Sequence, residues 1–418
     1  MVTGAGFYNA SPPMSAQMSA RLPVGQVLAA TTATQSFTTM GVLALAAVAP
    51  KAAEDLGISA ALIGYQMAVT YFGAVLSALT GGPLARRLGA TQTSRFALAL
   101  VAVGCLLSAL GTLPALALGA WVMGLGYGVT NPAASHLLAR LPATRHMNLI
   151  FSIKQCGVPI GGMLAGGLLP PLALTLGWQA GLVACALLTL GLGLALGRVA
   201  PLWDQDRNPA APLLSGPLAS TALVWRHPVL RWLALGSLAY SAVQMSLTGF
   251  LVTYLVAEIG MSLVLAGTLL SLTHAAGAAG RLAWGWLADR ARSGTLALIA
   301  NGSIAVAGAL ATAALAADWP LWAVGAALSL FGFCAMGWNG VYMAVVARQS
   351  PPQSIGVATG GAIGITFAGV IVGPSAFAAL HDRAGLSYAD GYALLALVTA
   401  LGVACVARAR SLREGARK

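Results

Sequence analysis

The chain has 418 residues, 58% of them hydrophobic and 8% charged, with a formal net charge of +12. A soluble domain carries about 25% charged residues, so this composition excludes a water-covered globule and calls for lipid over most of the surface. The basic excess sits in short segments between apolar runs, which excludes nucleic acid as its partner and reads as a topology signal.

In chain order, residues 1–25 hold prolines, serines and the single Arg21. With no basic segment leading into an apolar core and cleavage site, they read as a cytoplasmic tail. Apolar runs long enough to span a bilayer follow, at 26–49, 58–81, 94–113, 115–138, 148–171, 179–198, 230–256, 262–287, 295–316, 320–346, 355–379 and 388–407. In lipid every backbone polar group needs an internal partner, so each run is expected to be a helix. The 51 glycines suit close helix packing. The expected class is an all-α membrane protein with twelve transmembrane helices. Residues 26–198 and 230–407 form its two six-helix bundles. The segment 199–229, rich in Pro, Asp and Arg, reads as a cytoplasmic linker loop, and 408–418 as a basic tail.

Arg86, Arg87 and Arg95 follow the second run, Arg140 and Arg145 the fourth, Arg290 and Arg292 the eighth, and Arg348 the tenth. Arg198, Arg207, Arg226 and Arg231 flank the linker. If the runs alternate in direction, all of these lie on one side with both termini. The positive-inside rule makes that side the cytoplasm, in a cell inner (plasma) membrane. The five cysteines are scattered through apolar runs without CxxC spacing and read as core residues. With no metal-ligand cluster, nucleophile–base pair or phosphate-cradling loop in view, neither an enzyme nor a cofactor or metal is expected. The longest loop is the linker, too short for the domain that a membrane sensor would need.

The two halves repeat. Arg87 falls against Arg290 (290 − 87 = 203), with Tyr71 opposite His274 at the same offset; Gln35 falls against Gln244 (244 − 35 = 209), Asn131 against Asn339 (339 − 131 = 208) and Arg140 against Arg348 (348 − 140 = 208). A parallel repeat of this kind places a site between two bundles related by an axis along the membrane normal. Gly285-Trp-Leu-Ala-Asp289-Arg290 closes the eighth run, and Gly82-Pro-Leu-Ala-Arg86-Arg87 closes the second. Gly124-Leu-Gly-Tyr-Gly128, Asn131-Pro132, Gly157-Val-Pro159-Ile-Gly161-Gly162, Gly177-Trp178 and Gly373-Pro374 follow in order through the fourth to eleventh runs. Together these motifs resemble the major facilitator superfamily of secondary transporters over nearly the whole chain. The resemblance implies two pseudo-symmetric bundles and alternating access. It implies a gating role for the loop motif, whose usual aspartate is replaced by Arg86 in the N-terminal copy.

Two cations stand deep inside apolar runs with no acidic residue nearby: Lys154 in the fifth and Arg281 in the eighth. A charged side chain at mid-membrane costs about 2.5–3.5 kcal/mol on insertion scales, which an anion ligand would offset. The other reading is snorkelling to the interface. The run Gly280-Arg281-Leu-Ala-Trp-Gly285 is similar to the segment that bears a substrate-binding arginine in monocarboxylate and oxalate–formate carriers, which implies a carboxylate. Those carriers often have an aspartate one turn earlier; here that position is Gly277.

Thr31, Thr34, Gln35, Thr38 and Thr39 share a face of the first run, and Ser237, Tyr240, Ser241, Gln244 and Thr248 do so on the seventh. Helix–helix hydrogen bonding accounts for most of the hydroxyls. Gln35, Tyr240 and Gln244 are candidate cavity residues. Asn131, Asn339 and Tyr342, in the glycine-rich fourth and tenth runs, are open to a cavity, gate or packing role. His274 and His136 are the only histidines within runs and the candidate proton carriers. The expectation is a monomeric carrier of a small organic anion, a carboxylate in particular, by proton symport or anion exchange. Its alternative is an efflux transporter of an amphipathic drug or metabolite.

Overall fold

The computed structural model describes residues 22–141, 147–210, 218–350 and 355–415. Most of the expected tail 1–25, Arg145, linker residues 211–217 and the last three residues lie outside that set. Among the described residues the chain is helical throughout, with no strand.

The first half runs through α1 (Val24–Ala47), which turns by 54° into the short α2 (Ala49–Leu56). There follow α3 (Leu62–Leu88), α4 (Ala90–Ser108), α5 (Leu113–Ala139), α6 (Met147–Gln155), α7 (Gly157–Leu176) and α8 (Trp178–Gly197). The linker holds two short helices, α9 (Ala200–Trp203) and α10 (Leu218–Arg226), rather than a plain loop. Its apolar Trp203 and Val224 are buried, which is why these pieces pack as helices. The second half comprises α11 (Pro228–Ala257), α12 (Leu263–Arg290), α13 (Gly294–Ala313), α14 (Leu321–Ala335), α15 (Trp338–Gln349), α16 (Ile355–Ala384) and α17 (Tyr388–Gly415). Among the described residues ten stretches are long and apolar enough to cross a membrane, and up to twelve when each bent pair counts as one. The pairs α6–α7 and α14–α15 each make one span, the first interrupted toward its start and the second near its middle.

The outward faces are apolar, as lipid requires: Leu110, Leu176, Leu194 and Trp322 stand open on the surface. The hydroxyls of α1 mostly close on their own helix. Thr31, Thr34 and Thr38 donate to the carbonyls of Val27, Ala30 and Thr34, each at 2.8 Å. This satisfies them without a ligand.

The halves meet along α7 and α12, with further contact of α3 against α16 and of α11 against α1 and α2. Gly166 and Gly267 face each other on the α7–α12 seam, where a side chain on either would strike the opposite backbone. Three hydrogen bonds join the halves among the described residues. Ser59 Oγ donates to Asp382 at 2.7 Å, Ser271 Oγ to the Met163 carbonyl at 2.8 Å, and Arg281 Nη1 to the Gln155 carbonyl at 2.8 Å. All three lie at the level of Arg281 or beyond it, toward the face opposite the termini.

The start of the linker is pinned to the first half, while α10 packs on α16 and α11 of the second. The Asp204 carboxylate accepts from the Thr91 and Gln92 amides, both at 2.8 Å, and so caps α4. Gly89, at φ 99°, makes the turn into that helix with Asp204 packed against it, a position closed to an L side chain. The family pattern expects an aspartate at position 86. Arg86 is exposed instead, and the carboxylate beside this loop comes from the linker.

Candidate functional site

Lys154, one residue before the end of α6, is 3% exposed. Its ammonium donates to Gln35 Oε1 on α1 at 3.1 Å, to Asn131 Oδ1 on α5, and to Gln155 Oε1 beside it at 3.4 Å. An ammonium has three donors, and three amide oxygens meet them. The charge is therefore held by dipoles; among the described residues no carboxylate pairs with it.

Arg281, in the second half of α12, approaches the same place from the other bundle. Its Nη1 donates to the Gln155 backbone carbonyl at 2.8 Å, while Nε is buried without a partner. Gln155 thus touches both cations, one through its side chain and the other through its backbone. The carbonyl is free because residue 159, four positions on, is proline and has no N–H to close the helical bond. Gln155 was not foreseen as a site residue. The Gln155–Pro159 spacing was its only sign in the sequence.

The repeat is visible in the side chains. In the second half Gln244 Oε1 accepts from Trp338 Nε1 at 3.2 Å and from Asn339 Nδ2 at 3.3 Å. Gln35 and Asn131 are the matching pair in the first half, where Lys154 lies between them. At the same offset the second half has Ala362 (154 + 208 = 362), so its amides bond each other and the cation is a feature of one half.

The remaining candidates scatter. Tyr240 does not join the cations: its hydroxyl donates to the Leu298 carbonyl on α13 at 3.1 Å, inside the second bundle. Tyr342 is buried, edge-on to Trp338 at 5.6 Å, with its hydroxyl unpartnered. His274 lies on the α7–α12 seam, 1% exposed, both ring nitrogens unpartnered, its ring filling the space a Gly162 side chain would need. His136 is elsewhere. At the terminal end of α5 its Nε2 lies 2.7 Å from Asp206 of the linker, which also pairs with Arg140 at 2.6 Å. It belongs to the linker contact, because α5 reaches the surface at that level.

In the loop motif Arg87, like Arg86, stands exposed on the last turn of α3, beyond the partly buried Gly82. Asp289 reaches Arg348 only at 3.8 Å, with both side chains mostly exposed. Arg290 lies 5.7 Å from the centre of the ring of Trp286, which directly follows Gly285 and stands four residues earlier in the same helix.

The Major Facilitator Superfamily model matches residues 31–374. The chain is 27% identical to the gallate transporter of Pseudomonas putida over 410 residues, covering 87% of this chain and 86% of that one. It is 26% identical to the "Probable nitrate/nitrite transporter NarK2" of Mycobacterium tuberculosis over 379 residues, covering 87% and 90%. It is 32% identical to the 4-hydroxybenzoate transporter PcaK of Pseudomonas aeruginosa over 154 residues, covering 37% and 34%. A bacterial homolog of the human lysosomal transporter Spinster, solved inward-facing and occupied, has the same fold, with a TM-score of 0.72 at 16% identity over 93% of this chain and 97% of that one. The helical architecture, the two half-repeats and the family match agree: this multi-pass membrane chain belongs to the Major Facilitator Superfamily of secondary transporters.

Proposed function

We propose that the chain carries a small organic carboxylate across the cell inner membrane by alternating access, as a monomer with both termini in the cytoplasm. One observation carries this reading: the buried Lys154 and the partly buried Arg281 converge from opposite halves on Gln155, with no acidic partner among the described residues. An anion would find two charges there and the unpartnered edge of a guanidinium. The substrates named for the relatives fit this chemistry. Gallate and 4-hydroxybenzoate are hydroxylated aromatic carboxylates, and nitrate is a planar oxyanion. All present two coplanar oxygens, the shape that an arginine fork pairs with. The direct test is binding and counterflow of 4-hydroxybenzoate, gallate and aliphatic carboxylates in proteoliposomes. Failure of every carboxylate to bind would end this reading.

Inward movement needs a second ion. One charge crossing 100 mV costs about 2.3 kcal/mol, and a tenfold ratio is about 1.4 kcal/mol, so a monoanion moving alone would equilibrate about fiftyfold lower inside. Either a proton accompanies it or another anion leaves in exchange. Every described Asp and Glu lies at a helix end or in a loop. For proton symport, His274, on the seam between the halves two turns from Arg281, is the group in place. Counterflow without response to a pH gradient would favour exchange.

A further inference from the structure

Pro159 stands in the first turn of α7, just after the α6–α7 break, where a missing N–H is tolerated. In a regular helix the Gln155 carbonyl would accept from the amide of residue 159. Proline removes that donor, and in lipid an orphaned carbonyl has to be satisfied from elsewhere. The partner is Arg281 Nη1, from the other half of the molecule, at 2.8 Å. This contact uses the end of the guanidinium. The Nε–Nη2 edge, with Nε buried and unpartnered, makes no hydrogen bond among the described residues. That edge is the side-on fork for a carboxylate.

We propose that Pro159 is a positioning residue for transport: it frees the Gln155 carbonyl to hold Arg281 across the seam, which aims the Nε–Nη2 edge at the substrate's carboxylate. Because the tie joins α12 to the α6–α7 break, the aimed edge exists only in arrangements where these two elements touch. Affinity for the anion is then linked to the arrangement of the halves. The inference rests on the proposed carboxylate function and adds how its arginine is oriented.

Pro159→Ala returns an N–H to the helix, which takes the carbonyl and releases Arg281. The probe is 4-hydroxybenzoate, with Kd measured for the wild type, Pro159→Ala, Arg281→Ala and the double variant. We expect Pro159→Ala to raise Kd about tenfold, the scale of losing one charge-assisted hydrogen bond, and to have no effect on top of Arg281→Ala. A second readout has one arm, Arg281→Ala alone, that does not depend on Pro159→Ala folding. Gln155–Cys156 is the only Gln–Cys step in the sequence, so carbonyl-13C glutamine with 15N cysteine marks this one carbonyl for magnetic resonance. Its 13C shift should move on Arg281→Ala in the wild-type background and stay still in the Pro159→Ala background. An unmoved shift on Arg281→Ala overturns the proposal, as does wild-type affinity in folded Pro159→Ala. If the wild type binds no carboxylate at all, the functional reading fails instead, and the carbonyl shift still reports whether the tie exists.

Discussion

Replacing Arg281 by lysine keeps the charge and removes the fork, which separates the two contributions. In the structure one guanidinium nitrogen is committed to the Gln155 carbonyl and two remain for an anion. A carboxylate on the Nε–Nη2 edge would make two charge-assisted bonds. A lysine head is a single nitrogen on a shorter chain, so even with three donors it cannot make the two parallel, coplanar bonds of the fork. The loss is one charge-assisted hydrogen bond, about 1.5–3 kcal/mol, or roughly 10- to 150-fold in affinity at about 1.4 kcal/mol per decade. Arg281→Ala also forfeits the Coulomb attraction, about 4 kcal/mol for charges 4 Å apart at an effective dielectric of 20, and should fall about a thousandfold or more. The assay is initial-rate counterflow of labelled 4-hydroxybenzoate in proteoliposomes, with Kd from quenching of the 10 tryptophans. A lysine variant within threefold of wild type, or an alanine variant no worse than lysine, would refute the forked-carboxylate geometry.

Three other changes give separate readings. Lys154→Met leaves the amide oxygens of Gln35, Asn131 and Gln155 without their shared donor and removes one of the two cations. Anion affinity should fall about 10- to 100-fold, on the scale of losing a charged hydrogen-bond partner, and an isothermal titration showing no change would remove Lys154 from the site. His274→Gln should abolish accumulation driven by a pH gradient while sparing counterflow; accumulation that survives excludes this imidazole as the proton carrier. Asp204→Ala deletes the cap on α4. It should cost about 1 kcal/mol and appear as faster hydrogen exchange at the Thr91 and Gln92 amides, so unchanged exchange would deny the linker its anchoring role.

What the sequence revealed and what it hid have physical reasons. The spans were legible because a bilayer leaves no other solution for long apolar runs, and the two cations stood out because charge in hydrocarbon is rare. The Gln35–Gln244 and Asn131–Asn339 matches also carried over, since each pair occupies equivalent positions in its half. Tyr240 was misplaced for an instructive reason. Its spacing from Gln244 puts both on one helical face, but every residue of α11 from Ala239 to Leu255 is buried. A helix enclosed on nearly all sides has no polar face that must line a cavity, so Tyr240 could turn to α13 and Gln244 to Trp338 and Asn339. His136 misled differently: it stands at the end of its run, and its partner Asp206 lies 70 residues further on in the linker. Gln155 was hidden most thoroughly. Its role belongs to a backbone carbonyl, which every residue has, and that carbonyl is available only because Pro159 withholds a donor. The availability was written locally, four residues apart. The consumer, Arg281, comes 126 residues later in the other half, and only the packing of α12 against the α6–α7 break brings the two together. The site is therefore assembled from a local defect and a distant charge, and its geometry depends on how the two halves are docked.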